Sequence, residues 1–327
     1  DEMLKRITKA FDEFYDVSQK NEDEIASLSR NLKIDIAVDL MGFTRSNRYQ
    51  IFSDRCAPIQ VSYLGFAGTT GLKNMDYLIA DENVINNNRH HYTEKIIYLP
   101  NSFMPNNENQ NISEKKFTKA DEGLPENSVV YCCFNKHYKI TPKIFDIWVD
   151  ILINVENSII WLNSAEEQTK KNILDYSKSK GLDPKKIVFT KRSLSYPEYL
   201  SKHRLADIFL DTNPFSAHST GCGSLMAGVP IITVLGKSFA NNVCASLLKS
   251  LDMEELISQN FDEYKNKAID LGKNPSKLLN IKKKIRKNVI HSPLFNSKSY
   301  IKNLEKAFSQ IYQVKKNKLK TEDIIIH

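Results

Sequence analysis

One polar stretch, LDTNPFSAHSTGCGSLMAGVP, suggests phosphate binding and runs from Leu210 to Pro230. An apolar run ends at Leu210, and the next helix should begin within His218, Ser219, Thr220 and Gly221. A helix N-terminus offers free backbone N–H groups and a positive dipole end, and hydroxyl groups add further donors. The spacing fits two interpretations equally well: a hydroxyl caps the helix, or the stretch binds a diphosphate.

A second loop, FNKHYKITP (134–142), carries Lys136 and Lys139. It lies between an apolar run and a segment with helix-start signals, because Thr141 suits the N-cap and Pro142 the first turn. A lysine in such a loop can neutralise the negative charge that builds on a departing phosphate. The alternative, two solvated loop lysines, has equal support.

Two further loops follow predicted strands, YLGFAGTTG (63–71) and DLMGFTRSNR (39–48). Neither has the GK[ST] of a P-loop or the GxGxxG order of dinucleotide binders. The sequence also contains no HExxH, no GxSxG, no Cys/His ligand cluster and no D-x-D triplet. A transferase using these loops would stabilise its leaving group with lysine and helix N-termini, so we expect neither a metal nor a cofactor.

These loops need strands and helices that bring them to one sheet edge. Short apolar runs bounded by turn residues are typical of parallel strands covered on both faces. Four such runs come early, at 33–40, 59–66, 75–81 and 94–100, and strands then alternate with helices from 128 to 251. This alternation predicts a doubly wound α/β fold, and from Met253 onward the pattern predicts only helices.

The polar segment 101–127 is the best candidate for a linker. We therefore predict a partial N-terminal lobe over residues 1–115 and a C-terminal lobe with terminal helices over residues 116–327. Two such lobes would enclose a cleft, with ligands at the carboxyl ends of the strands.

The composition is that of an ordinary globular protein, with 327 residues, 41% hydrophobic and 26% charged. No run of 18 apolar residues and no signal peptide occur, so we expect a soluble, cytoplasmic protein without a membrane partner. The five cysteines form no CxxC pair and predict buried thiols. The net charge of +7 comes largely from lysine runs at 281–287 and 314–320, which we interpret as solvated helix faces rather than a nucleic-acid site. An acidic partner is the alternative.

Six blocks, in this order, resemble the catalytic region of the protein O-GlcNAc transferase family, including its bacterial and Spindly-like members: DLMGFT, APIQVSYLGFAGTTG with MDYLIAD, CFNKHYKITP, HRLADIFLDTNPFSAHSTG, MAGVPIIT and SPLFNSKSY. The resemblance covers nearly the whole chain. It implies a GT-B glycosyltransferase with two Rossmann-like lobes. It also implies inverting, metal-independent transfer of N-acetylglucosamine from UDP-GlcNAc to Ser or Thr of protein acceptors.

The resemblance assigns roles to individual residues. Lys139 matches the lysine that contacts the donor diphosphate and is required for catalysis. His218, Ser219 and Thr220 match diphosphate and sugar contacts, and Leu64 and Gly65 match first-lobe positions near the donor sugar. Lys202 stands where the family usually has an arginine beside the uridine site.

Three positions depart from the family pattern. Lys136 replaces an amide near the nucleotide, Tyr199 a histidine against the uracil, and Gly223 an aspartate that binds the ribose. They leave open a fucosyl- or hexosyltransferase, or a module that binds a nucleotide sugar or partner protein without turnover. The resemblance also implies that the chain begins inside the first lobe, after a histidine-bearing loop and tetratricopeptide repeats. We therefore expect a fragment, and an isolated chain without that loop could be inactive.

Overall fold

The computed structural model describes residues 2–107, 110–191 and 195–327. It contains two parallel β-sheets, as the alternation of apolar runs predicts. The first sheet has the strand order β1-β2-β3-β4-β11. Its strands are β1 (Ile36–Asp39), β2 (Ile59–Ser62), β3 (Tyr77–Ala80), β4 (Lys95–Tyr98) and β11 (Ile324–Ile325).

The second sheet has six strands in the order β10-β9-β8-β5-β6-β7, all paired in parallel. They are β5 (Val129–Cys133), β6 (Ser158–Leu162), β7 (Ile187–Phe189), β8 (Ile208–Leu210), β9 (Ile231–Val234) and β10 (Ile257–Ser258). The chain leaves β5 in one direction and later returns to its other side with β8. The crevice between these two strands is therefore the topological switch point, where such sheets bind ligands.

Helices follow most of the strands. They are α1 (Glu2–Ala10), α2 (Glu22–Asn31), α3 (Gln50–Ser53), α4 (Glu82–Ile85), α5 (Pro142–Asn154), α6 (Glu167–Ser179), α7 (Tyr196–His203), α8 (Ser219–Met226), α9 (Phe239–Lys249), α10 (Phe261–Lys273), α11 (Pro275–His291) and α12 (Ser297–Lys316). The start of α5 confirms the predicted signals, because Thr141 accepts a hydrogen bond from the N–H of Ile144 and Pro142 opens the first turn. The described residues include no helix long and apolar enough to cross a membrane.

The core of the second sheet explains why its strands read as unbroken apolar runs. Every residue of β6, β8 and β9 is buried, and Trp148 and Trp161 are among the largest buried side chains. Helices cover the sheet, so alternation of polar and apolar residues would leave polar groups in the core. All five cysteines are buried and free, as predicted.

The prediction of helices alone after Met253 was wrong at two places, because β10 and β11 lie there. Each contains two residues, too few to show a strand pattern. Contacts divide the chain into two compact units, one of residues 1–79, 92–96 and 308–323, the other of 80–91, 97–307 and 324–327. The lobe boundary between residues 115 and 116 stays a prediction.

Candidate functional site

Two loops of the second unit flank the switch point of its sheet. One follows β5 and contains a single turn of 3₁₀-helix, His137–Lys139, before α5 begins. The other follows β8 and leads through residues 211–218 into α8. The lysine loop and the histidine–hydroxyl stretch, both singled out in the sequence, therefore leave neighbouring strands at the carboxyl edge.

The carboxylate of Asp211 fixes the loop after β8. Its Oδ1 accepts from the N–H groups of Thr212 (2.8 Å) and Ala217 (2.7 Å), and the Nδ2 of Asn135 lies 3.4 Å away. Its Oδ2 accepts from the hydroxyl of Thr233 at 2.7 Å. Burial raises the pKa of Asp211 to about 6. One buried side chain thus connects both ends of the loop to β9 and to the loop after β5.

Ser216 attaches the middle of the same loop to α9. Its N–H and its hydroxyl both donate to the carbonyl of Ala240, at 3.0 and 2.9 Å, and its Oγ accepts from the N–H of Cys244 at 3.2 Å. These bonds fix the carbonyl of Ser216, which is the acceptor of the Lys139 ammonium.

Lys139 is the half-buried cation of the site. Its Nζ donates to the Ser216 carbonyl at 3.0 Å and lies 3.9 Å from the ring centroid of Phe215. Burial lowers the pKa of Lys139 to about 8, although the nearby carboxylate of Asp211 opposes this shift. No carboxylate among the described residues forms an ion pair with Lys139. An ammonium held by neutral acceptors in a water-poor setting is suited to an anionic ligand.

His218 occupies the N-cap position of α8, but its side chain makes no capping hydrogen bond. The proposal that Ser219 or Thr220 caps it was therefore wrong; both residues lie inside the first turn, where their N–H groups lack intrahelical partners. The His218 ring stacks on Phe215, with centroids 4.8 Å apart, and its Nε2 lies 3.4 Å from the Ala240 carbonyl. Burial, with Lys139 adding to the effect, lowers the pKa of His218 to about 4, so the ring is neutral at pH 7.

Gly221 and Lys136 are the two remaining residues of the predicted phosphate site. Gly221 is buried, and a Cβ there would lie 3.3 Å from the side chains of Ala217 and Leu247, which explains the close approach of α8 to its neighbours. Lys136 is exposed at the start of the turn that carries Lys139.

The structure gives Lys202 a partner that the sequence did not reveal. Its Nζ forms an ion pair with Glu122 at 2.7 Å, and the two side chains are 7% and 2% exposed. The same Nζ donates to the carbonyl of Lys191 at 3.1 Å. The ammonium of Lys202 is thus already neutralised within the protein.

Tyr199 on α7 and Gly223 on α8 also pack against other residues of the protein. The Tyr199 ring stacks near Tyr196 and meets the His203 ring edge to face. Gly223 faces α7, because a Cβ there would lie only 2.8 Å from the Leu200 side chain. The roles of these positions toward the base and ribose stay predictions.

Leu64 and Gly65 belong to the first unit. Leu64 has a left-handed backbone, with φ of 68°, and its side chain is about one-third exposed. A Cβ on Gly65 would collide with the carbonyl of Leu40, so only glycine fits beside the loop after β1. Their predicted approach to a donor sugar stays untested.

Sequence reasoning missed Asp211, Ser216 and Phe215 as parts of the site. Asp211 carried one usable signal, since an acid directly after a buried strand must find donors at the sheet edge. Ser216 and Phe215 carried no such signal. The partner of Ser216 is the backbone carbonyl of Ala240 on α9, and the partner of Phe215 is Lys139, 76 residues away in the chain.

Comparisons with known proteins agree on one family. The sequence model described as glycosyl transferase family 41 matches residues 2–116 and 106–304. The chain is 35% identical over 320 residues to a probable UDP-N-acetylglucosamine–peptide N-acetylglucosaminyltransferase, SEC, of Arabidopsis thaliana, covering 96% of this chain and 33% of that protein. It is 31% identical to the SPINDLY protein of Solanum lycopersicum, covering 91% and 32%. The chain thus spans about a third of the length of these curated relatives.

Two solved structures of glycosyltransferases are similar to this chain. A mutant of the Thermobaculum terrenum O-GlcNAc transferase superposes with a TM-score of 0.89 at 25% identity, covering 96% of this chain and 60% of that one. A glycosyltransferase from Rickettsia africae matches with a TM-score of 0.61 at 13% identity, covering 96% and 88%, which is a likeness of fold alone.

Proposed function

The chain belongs to glycosyl transferase family 41 and has the GT-B fold, and we propose that it forms the donor site of an enzyme that glycosylates proteins. The proposed reaction transfers N-acetylglucosamine from UDP-GlcNAc to Ser or Thr hydroxyls, with inversion and without a metal ion. The names of the relatives support the donor and the protein acceptor. Because those proteins are about three times as long, the acceptor site and any repeats that hold the acceptor belong to the proposal as well.

The observation that carries this proposal is the ammonium of Lys139, half-buried near the start of α8 and without an ion-pair partner among the residues that the structure describes. When the bond between the sugar and UDP breaks, negative charge builds on the outer phosphate. An ammonium and helix N–H groups fixed in advance stabilise that charge without reorganising at the moment of reaction. Ser219 and Thr220 supply hydroxyl donors at the same helix end.

Each group has a defined proton state in this mechanism. A bound diphosphate favours the charged form of Lys139 and so raises a pKa that burial has lowered to about 8. His218 is neutral at pH 7 and can donate only one N–H to a phosphate or sugar oxygen. The acceptor hydroxyl would attack the sugar carbon on the face opposite UDP and release its proton to solvent, while the bond from that carbon to the UDP oxygen breaks, which inverts the carbon.

The base and ribose side leaves a second candidate donor open. The ammonium of Lys202 is paired with Glu122, and Gly223 offers no carboxylate to ribose hydroxyls. A fucose donor carried by GDP, or another hexose donor, therefore remains the alternative to UDP-GlcNAc, as does binding without turnover.

Calorimetric titration of UDP and of GDP into the purified protein tests the proposal. We expect UDP to bind, and Lys139→Met to weaken binding about tenfold or more, the usual effect of losing one charged phosphate contact. Lys143→Met is the matched control, because this lysine is exposed and lies over the ring of Phe261 on the same unit. Preference for GDP would favour the second candidate, and absence of binding to either nucleotide would contradict a donor site.

A further inference from the structure

Phe215 occupies an unusual place in the loop after β8. Its side chain is 36% exposed, yet its ring contacts two groups of the proposed diphosphate site. The centroid lies 3.9 Å from the Nζ of Lys139 and 4.8 Å from the centre of the His218 ring, with the two ring planes 28° apart. The ring therefore covers a face of the ammonium that the proposed function assigns to a phosphate.

Hydrogen bonds hold the backbone around Phe215, whereas its ring is partly exposed. The Phe215 carbonyl accepts from the hydroxyl of Thr212 at 2.7 Å, and the next residue, Ser216, is bonded to Ala240. A change in access to Lys139 therefore requires rotation of the aromatic side chain rather than movement of the loop. A partly exposed side chain makes such a rotamer change within nanoseconds.

We propose that Phe215 is a specificity-determining gate, whose ring competes with the donor diphosphate for the ammonium of Lys139. This inference rests on the proposed function and concerns the same site. A phosphate oxygen that approaches Lys139 must displace the ring and break the cation–π contact, so part of the binding energy is spent on opening. Small monovalent anions gain too little from Lys139 to open the gate, whereas a diphosphate also gains the N–H groups of α8.

Removal of the ring should therefore tighten binding. Phe215→Ala should strengthen binding of inorganic pyrophosphate and of UDP by about threefold to thirtyfold, the factor that corresponds to a cation–π contact of ordinary strength. Phe215→Leu keeps an apolar cover but removes the aromatic face, so its affinities should lie between those of the parent and the alanine variant. Ile153→Ala, an exposed position on α5, is the matched control and should change neither affinity.

The pH dependence of binding separates a gate from a merely structural role. The titratable groups that face Lys139 are Asp211, His218 and Cys133. Between pH 7 and 9 the first stays ionised and the second neutral, and burial raises the pKa of the Cys133 thiol. Loss of affinity in this range therefore reports on Lys139. Phe215→Ala loses the cation–π contact but exposes the ammonium to water, and because burial is the main cause of the lowered pKa of Lys139, the midpoint of that loss should move to higher pH. Phe215→Leu keeps the burial and loses only the contact, so its midpoint should move to lower pH.

The experiment is calorimetric titration of pyrophosphate and UDP into the parent and the three variants between pH 7 and 9, with thermal melts to confirm folding. Tighter binding and a raised midpoint in Phe215→Ala support the gate. If the parent binds both ligands and Phe215→Ala binds them equally or more weakly, the gate is overturned while the donor site stands. If neither ligand binds to any of the four proteins, the proposed function fails and the gate with it.

Discussion

Two lysines of the second unit are buried to different extents and should have different roles, one in catalysis and one in stability. Replacing each with methionine should separate the two roles. Lys139 donates to a carbonyl and lies over a ring, whereas Lys202 forms an ion pair with Glu122 that is almost completely buried. We expect Lys139→Met to abolish function with little effect on stability. We expect Lys202→Met to reduce stability strongly.

The magnitudes follow from the contacts. Lys139→Met loses one hydrogen bond and one cation–π contact, each worth about 1 kcal/mol, and gains roughly 1–2 kcal/mol because a cation no longer has to be held half-buried. Its free energy of unfolding should therefore stay within about 1 kcal/mol of the parent. Lys202→Met removes the cation that neutralises the buried carboxylate of Glu122 and leaves it the N–H of Lys191 as a donor, which costs about 3 kcal/mol.

Thermal and denaturant unfolding, together with a sugar-transfer assay on the same preparations, measure both effects. Lys139→Met should lower turnover by about a hundredfold or more, the scale of one lost transition-state charge contact. Lys143→Met should change neither quantity. If Lys139→Met proved as destabilising as Lys202→Met, or kept its turnover, Lys139 would be a structural lysine and the mechanism would be wrong.

Three further predictions concern metal, pH and the buried acid. Excess chelator should leave transfer unchanged, and loss of activity restored by magnesium or manganese would contradict charge stabilisation by Lys139 and α8. The value of kcat/KM should fall about tenfold per pH unit above pH 8, because Lys139 loses its proton there. A kcat/KM profile flat to pH 10 would refute this. The pKa of Asp211 is raised from 3.8 to about 6, so its contribution to stability is full below pH 4 and lost as the pH rises through 6. The stability of Asp211→Asn relative to the parent should therefore improve by about 2 kcal/mol between pH 4 and 7 in denaturant titrations, and a constant difference would show that Asp211 is not held in this way.

Local rules made much of the fold predictable. Thr141 and Pro142 mark the start of α5 because a cap and a first-turn proline act within four residues, and continuous apolar runs mark strands because both sheet faces are covered. The alternation predicted that the loops of Lys139 and His218 share one sheet edge, and the structure adds that their strands, β5 and β8, are neighbours.

Features that depend on distant partners were not predictable. Glu122 and Lys202 are 80 residues apart and form one ion pair, and nothing in either local sequence indicates the other. The pairing of Phe215 with Lys139 depends on how two loops approach each other, which side-chain periodicity does not encode. The contact between Gly223 on α8 and Leu200 on α7 also joins two distant helices, and the role of this position toward the ribose stays a prediction.

Mass spectrometry of a protein mixture incubated with the enzyme and UDP-GlcNAc in the presence of chelator tests the catalytic role of Lys139 most directly. The parent enzyme should add single N-acetylhexosamine groups to Ser and Thr side chains, and Lys139→Met should add none while remaining folded. Equal modification by the two enzymes, or modification by neither with UDP-GlcNAc or any other nucleotide sugar, would contradict a transferase whose leaving group is stabilised by Lys139.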